Sequence, residues 1–183
     1  MRYSLVAILC IGLSAPAYAQ QRGGYVGLSA GSYRVEDDEP GASVSDSALS
    51  YGVFGGYRFS NSFALEGGLG KTTDFENILD NLLFLTSESV VYDFRTVRAL
   101  GILQRDKLEL FAGLGYHDSD AKGELNILGG PDIVLDESDS GMTAAVGLQF
   151  DGNQFSYRFQ YEWFDASERL DLANFAFGFV IRF

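Results

Sequence analysis

From Gly23 onward the chain is made of short runs in which apolar residues alternate with small or polar ones. Val26, Leu28 and Ala30 alternate with Gly27, Ser29 and Gly31; Tyr51, Val53, Gly55, Tyr57 and Phe59 with Gly52, Phe54, Gly56 and Arg58; Phe63, Leu65, Gly67 and Leu69 with Ala64, Glu66, Gly68 and Gly70. The same period returns in Leu108–Tyr116, Met142–Phe150 and Phe155–Trp163. In the final run Phe175, Phe177, Phe179, Ile181 and Phe183 share one parity, and Asn174, Ala176, Gly178, Val180 and Arg182 the other. A strand turns successive side chains to opposite faces, so each run predicts a strand with one apolar face and one face of small or polar residues. With Val90–Leu103 the count is eight.

The connections alternate in length. Ser60-Asn61-Ser62, Arg105-Asp106 and Asp151-Gly152-Asn153 are tight and carry hairpin-turn residues. Glu36 to Ala48, Thr73 to Ser89 and His117 to Ser140 are long, and Asp165 to Arg169 is shorter. Consecutive strands joined this way form an all-β, eight-stranded antiparallel up-and-down barrel. Tight turns at one end and long loops at the other is the transmembrane-barrel pattern, with turns periplasmic and loops extracellular.

A soluble barrel also alternates, with its polar face in water. Here the non-aromatic face is mostly Gly, Ser, Ala and Thr, with one or two charges per strand. A solvated surface usually carries roughly 25–35% charge. The aromatic face suits lipid: Tyr25, Tyr51, Tyr57, Phe59, Phe63, Tyr116, Phe155, Trp163 and Phe183 lie near strand ends, where interfacial girdles are expected. No run of 18 apolar residues predicts a spanning helix, but a closed barrel spans by pairing every backbone group internally. Val90–Leu103 resists the pattern. Asp93 and Arg95 share one parity and Arg98 has the other, so an unbroken register turns a charge outward. Arg at the bilayer midplane costs about 2–4 kcal/mol. The sequence therefore predicts either a bulge near Arg95–Val97 or a strand that enters the membrane later.

The N-terminus agrees with a membrane destination. Arg2, the apolar stretch Leu5–Leu13 and the small-residue site Ala17-Tyr18-Ala19 read as a secretory signal peptide over residues 1–19, leaving 20–183 as the barrel domain. Cys10, the single cysteine, lies inside that signal, so the mature chain offers no thiol chemistry. Twenty-two glycines and only three prolines suit many strands, and a net charge of −12 argues against nucleic acid as a partner.

Gly24-Tyr25-Val26-Gly27-Leu28-Ser29-Ala30-Gly31 and Tyr51-Gly52-Val53-Phe54-Gly55-Gly56-Tyr57-Arg58-Phe59 resemble the first hairpin of small OmpA-like and OmpX-like outer-membrane barrels. Phe63-Ala64-Leu65-Glu66-Gly67-Gly68 and Leu108–Tyr116 extend the likeness over the whole mature chain. The resemblance implies a Gram-negative cell outer membrane location, with outer-membrane lipid, lipopolysaccharide and the barrel-assembly machinery as partners, and a monomer. OmpA itself carries a peptidoglycan-binding domain; no such anchoring is expected here.

Eight strands leave an interior that side chains just fill. Arg58, Glu66, Glu109, Arg158, Glu162 and Arg182 are expected to point inward as a charge network. In the family such networks plug the barrel or gate a narrow pore; pairing alone also explains them, because an unpaired buried charge is costly. The outward aromatic strand with Phe175, Phe177, Phe179, Ile181 and Phe183 is the expected assembly signal. His117, followed by Asp118, Ser119 and Asp120 at the start of the third long loop, is the one histidine; it falls on the lumen parity, but its place in a loop reads as a surface residue. A lipid-modifying enzyme centred on it is the least favoured reading, since a nucleophile and its base must lie within about 3 Å. The long loops are acidic: Glu36, Asp37, Asp38, Glu39 and Asp46 in the first, and Asp118, Asp120, Glu124, Asp132, Asp136, Glu137 and Asp139 in the third. Oxygen ligands suit calcium or magnesium, but no ligand spacing appears, so no metal, cofactor or catalytic residue is assigned. Ile78, Leu79, Leu82, Leu83, Phe84 and Leu85 form an apolar cluster in the second loop, suited to a short amphipathic helix or a hairpin tip. The sequence thus predicts a non-catalytic envelope or surface-interaction protein whose acidic loops leave room for an extracellular ligand; a narrow gated channel is the alternative.

Overall fold

A computed structural model describes residues 22–39, 42–73, 85–127, 133–152, 154–165 and 170–183. The expected signal peptide, the loop residues Ile78, Leu79, Leu82, Leu83 and Phe84, and Asp132 lie outside them. Eight strands follow one another: β1 Gly23–Glu39, β2 Ala42–Ser60, β3 Phe63–Thr72, β4 Leu85–Arg105, β5 Leu108–Ile127, β6 Ile133–Gly152, β7 Phe155–Asp165 and β8 Leu170–Arg182. Each pairs antiparallel with the next, and β8 pairs with β1 to close the barrel. Direct partners followed round the wall from Tyr25 are Gly56, Glu66, Arg98, Gly115, Thr143, Phe164 and Leu172, and the circuit returns to β1 at Val35. The stagger is ten residues (35 − 25), which obliges the strands to tilt, typically by 35–45°.

Burial follows parity and inverts the order of a soluble protein. In β7, Phe155, Tyr157, Phe159, Tyr161 and Trp163 are exposed, while Ser156, Arg158, Gln160, Glu162 and Phe164 are buried. Leu28, Val53, Leu65, Leu69, Val97, Leu103, Leu110 and Leu114 also face out. So continuous an apolar exterior is stable only in lipid. Tyr57, Phe59 and Phe63 form a ring cluster beside the first tight turn, with centroids 4.9 and 5.9 Å apart. Tyr51, Tyr116 and Trp163 face out toward the opposite end. Tyr25 departs from its expected girdle position. It shares the inward parity of Gly27 and is buried, because its hydroxyl donates to Glu66 in the lumen at 2.9 Å.

Rings that cross the lumen are matched by missing side chains. A Cβ on Gly27 would collide with Phe54, on Gly70 with Phe94, and on Gly147 with Phe111. The small residues of the inner face are therefore the space into which aromatics from neighbouring or facing strands fold.

β4 resolves its charge conflict without a bulge at Arg95–Val97. Its register with β5 runs unbroken from Ser87 to Arg105, and the shift lies between Leu85 and Ser87. The strand instead continues beyond the lipid, as the second expectation had it. Arg95 faces outward near the outer aromatic ring and pairs with Asp118 at 3.3 Å and Asp120 at 3.6 Å, while Asp93 meets Lys71 at 3.4 Å. The long loops are corrected in the same way. β1 and β2 stay paired to Glu39 and Ala42, and β5 and β6 to Leu125 and Ile133. Most of the expected first and third loops is strand hairpin. Beyond the membrane both faces of a strand meet water, so the alternation that marks a strand in the sequence fades.

Candidate functional site

All six expected interior charges face the lumen, and the register adds a seventh that sequence parity left open. Arg98, on β4, is almost completely buried and holds the centre. Its guanidinium donates to Glu66 at 3.0 Å and to Glu162 across the lumen. Glu66 also accepts from Arg158 and from Tyr25. Glu162 accepts from Asn174 Nδ2 at 2.8 Å, and Asn174 Oδ1 in turn accepts from Ser50 Oγ at 2.7 Å. The Arg158 guanidinium lies 4.6 Å from the Phe54 centroid and 4.7 Å from that of Phe111, so it is held by ring faces as well as by carboxylate.

A second cluster sits at the tight-turn end, where β2, β5, β6 and β8 bring their terminal charges together. Glu109 accepts from Arg58 and from Arg182, both at 2.7 Å, and from Gln149 at 3.2 Å. Arg182 also donates to Asp151 at 2.8 Å. Arg58 donates to the carbonyl oxygens of Ser60 and Asn61, tying the cluster to the first turn. Gln149 Oε1 accepts from Arg158 Nε at 3.0 Å, which links the two clusters. Across both, Arg58, Arg98, Arg158 and Arg182 face Glu66, Glu109, Glu162 and Asp151, four charges of each sign. Two of these eight residues, Arg98 and Asp151, were not among the expected set. Asp151 was hidden inside an expected turn.

The outer part of the lumen is closed by rings. Tyr33, Phe94 and Phe164 stand with centroids 5.7–5.8 Å apart, with Ala48 and Leu172 beside them. Tyr92 stacks on Tyr33 at 6.0 Å. His117 belongs to this layer and not to a surface loop: it lies within β5, is 1% exposed, and meets Phe164 edge-on at 5.3 Å. β5 runs on past Tyr116, so the inward parity of His117 places it inside the barrel. Neither of its ring nitrogens has a hydrogen-bond partner among the described residues. Asp118 turns outward to Arg95, and Ser119 Oγ donates to the Asp139 carbonyl oxygen at 3.3 Å. These neighbours do not converge on the imidazole. Among the described residues no three His, Cys, Asp or Glu side chains are grouped as metal ligands would be.

The chain is similar in fold to several solved barrels. Ail, the attachment invasion locus protein of Yersinia pestis, superposes with a TM-score of 0.60 at 19% identity, over 88% of this chain and 99% of that one. A further structure of Ail is a complex with the heparin analogue sucrose octasulfate. Neisserial surface protein A gives 0.57 at 15% identity, covering 88% and 97%. The outer membrane protein OprG of Pseudomonas aeruginosa gives 0.56 at 13% identity, covering 88% and 97%. No curated protein matches the sequence. The sequence pattern of the outer membrane protein beta-barrel domain, however, matches residues 4–183. The inverted burial, the closed eight-strand wall and this match agree: the chain belongs to the outer membrane protein beta-barrel family and resides in the cell outer membrane.

Proposed function

We propose that the protein is a non-catalytic outer-membrane scaffold with a closed interior, whose role is carried by the hairpins that stand beyond the lipid. The observation that carries this reading is the double seal of the lumen. An ion network with four charges of each sign fills the turn-end half, and the ring layer around Tyr33 and Phe164 fills the outer half. Eight strands enclose only enough room for such side chains. The paired charges serve to fill and rigidify the interior, and the outward Phe175–Phe183 face serves membrane insertion and recognition by the assembly machinery.

The chemistry of the hairpins sets the class of ligand. Ail was crystallised with a highly sulfated sugar. Here the outward side chains of β3–β6 beyond the aromatic ring include Asp93, Asp118, Asp120 and Asp136 against Lys71, Arg95 and Lys122, and the whole chain carries −12. A cationic or neutral partner suits this surface better than a polyanion. Planar-bilayer recordings test the closed lumen: no discrete conductance is expected for the protein or for Arg158→Ala, and steps of current that Arg158→Ala alters would establish the channel instead. Lipid A and phospholipid profiles are expected to be unchanged in His117→Ala; lost processing would make the protein an enzyme. Trimming the β5–β6 hairpin is expected to abolish surface binding, and binding that survives the trim would remove the role from this hairpin.

A further inference from the structure

At the tight-turn end the wall has a notch. β3 begins at Phe63, which pairs with Gly101 of β4, whereas β4 runs on beside β5 to the pair Arg105–Leu108. The Ile102 N–H still reaches the first turn, donating to the Ser62 carbonyl oxygen at 2.9 Å. Main-chain donors alternate in direction along a strand, so the Gln104 N–H faces the same side, where β3 has already ended. An open cavity of about 480 Å³ occupies this step, lined by Asn61, Ser62, Ile102, Leu103, Gln104 and Asp106. Gln104 Oε1 accepts from Arg58 at 3.3 Å, which leaves the Gln104 amide nitrogen to donate.

The turn beside the cavity carries charges in the order plus, minus, plus. Arg105, Asp106 and Lys107 are all exposed, and none has an ion-pair partner among the described residues. The interior charges, by contrast, are matched one to one. A lone anion in the notch would meet the Asp106 carboxylate, and a lone cation would meet Arg105 and Lys107. A group that carries both signs a few atoms apart meets neither conflict.

The notch also adjoins lipid. Tyr57, Phe59 and Phe63 cluster beside the first turn, at the level of the inner girdle. Leu103, a cavity residue, is 74% exposed on the lipid face. Above it the outward wall is low, because Gly101, Ala99 and Ala112 are small and exposed. Nothing inside the barrel demands glycine at 101: a Cβ there would meet only the Ala112 carbonyl oxygen, at an ordinary 3.7 Å. The shallow track suits an acyl chain, and the tight turns stand at the periplasmic end, where the leaflet is phospholipid.

We infer that the notch between the first two tight turns is a binding site for an amine-bearing phospholipid of the inner leaflet. Its ammonium bonds to Asp106, its phosphate takes the Gln104 donors with Arg105 and Lys107, and one acyl chain follows Gly101 up the wall. The site lies at the opposite end of the barrel from the hairpins of the proposed role, so either can fail alone.

The test is native mass spectrometry of the whole protein with phosphatidylethanolamine, phosphatidylcholine and phosphatidylglycerol of identical acyl chains. One phosphatidylethanolamine should be retained about tenfold better than either of the others, because a quaternary ammonium cannot donate a hydrogen bond and glycerol has no charge for Asp106. Asp106 has φ 53°, a conformation that Asn also adopts. Asp106→Asn should therefore keep native heat-modifiable gel migration and erase the preference. Arg105→Gln with Lys107→Gln should lower retention of phosphatidylethanolamine about tenfold. Equal retention of the three lipids, or a preference that survives Asp106→Asn, would overturn the site. Phosphatidylglycerol held best would reduce it to attraction for anions and overturn it likewise. Free phosphoethanolamine should displace nothing; displacement would give the notch to a soluble ligand and overturn the lipid assignment.

Discussion

The turn-end half of the lumen and its outer half are filled by opposite kinds of side chain. In the first, arginines and carboxylates from β2 to β8 satisfy one another; in the second, Tyr33, Phe94, Phe164 and His117 meet through ring faces and edges. Both halves exclude solvent, yet they respond differently to loss of a member. A vacated ring leaves a gap that its neighbours can partly close. A vacated charge leaves its partner buried and uncompensated.

That contrast orders the expected effects. Arg98→Ala strands Glu162 and weakens the hold on Glu66, and should destabilise by about 3–5 kcal/mol. Urea unfolding in lipid vesicles, followed by Trp163 fluorescence, reads the loss. Removing the pair together, as Arg98→Met with Glu162→Leu, should cost less than the single change; an equal or larger cost would mean that size rather than charge governs this layer. Phe164→Ala should cost about 3 kcal/mol in the same assay and leave bilayer recordings silent, because the ion network still closes the lumen below. Current through Phe164→Ala would make the ring layer the only seal. Tyr25→Phe removes one donor to Glu66 and should cost about 1–2 kcal/mol. Lys71→Ala breaks a half-exposed pair and should change stability by no more than about 0.5 kcal/mol; a larger loss would show that the outer rim is stiffer than its exposure implies.

The wall was legible in the sequence because lipid on one side and a narrow lumen on the other impose a strict period of two on every spanning strand. The interior was legible only as far as the parity was followed. Tyr25 stands on the Gly27 parity, but its place near a strand end suggested the interface. Arg98 was lost because Asp93 and Arg95 appeared to compete with it for one register, a conflict that disappears once β4 is seen to outrun the bilayer. His117 has the lumen parity in the sequence, but the apolar alternation stops at Tyr116 and suggests a loop, whereas the pairing of β5 continues. The ring layer, with Ala48 and Leu172 beside it, joins residues from β1, β2, β4, β5, β7 and β8, and no local pattern announces a contact so distant along the chain.

The wiring of the ion network also constrains the order of events during biogenesis. Glu109 on β5 meets Arg58 three strands away and Arg182 on the final strand, and Glu66 on β3 meets Arg158 on β7. In a flat, unfinished sheet these groups are far apart and carry naked charge. They neutralise one another only when the sheet has curled and the last strand has arrived. Insertion ahead of curling would drag those charges through hydrocarbon, so the network favours a sheet that curls as it enters the bilayer, and the C-terminal strand completes both the ring and the pairing of Glu109.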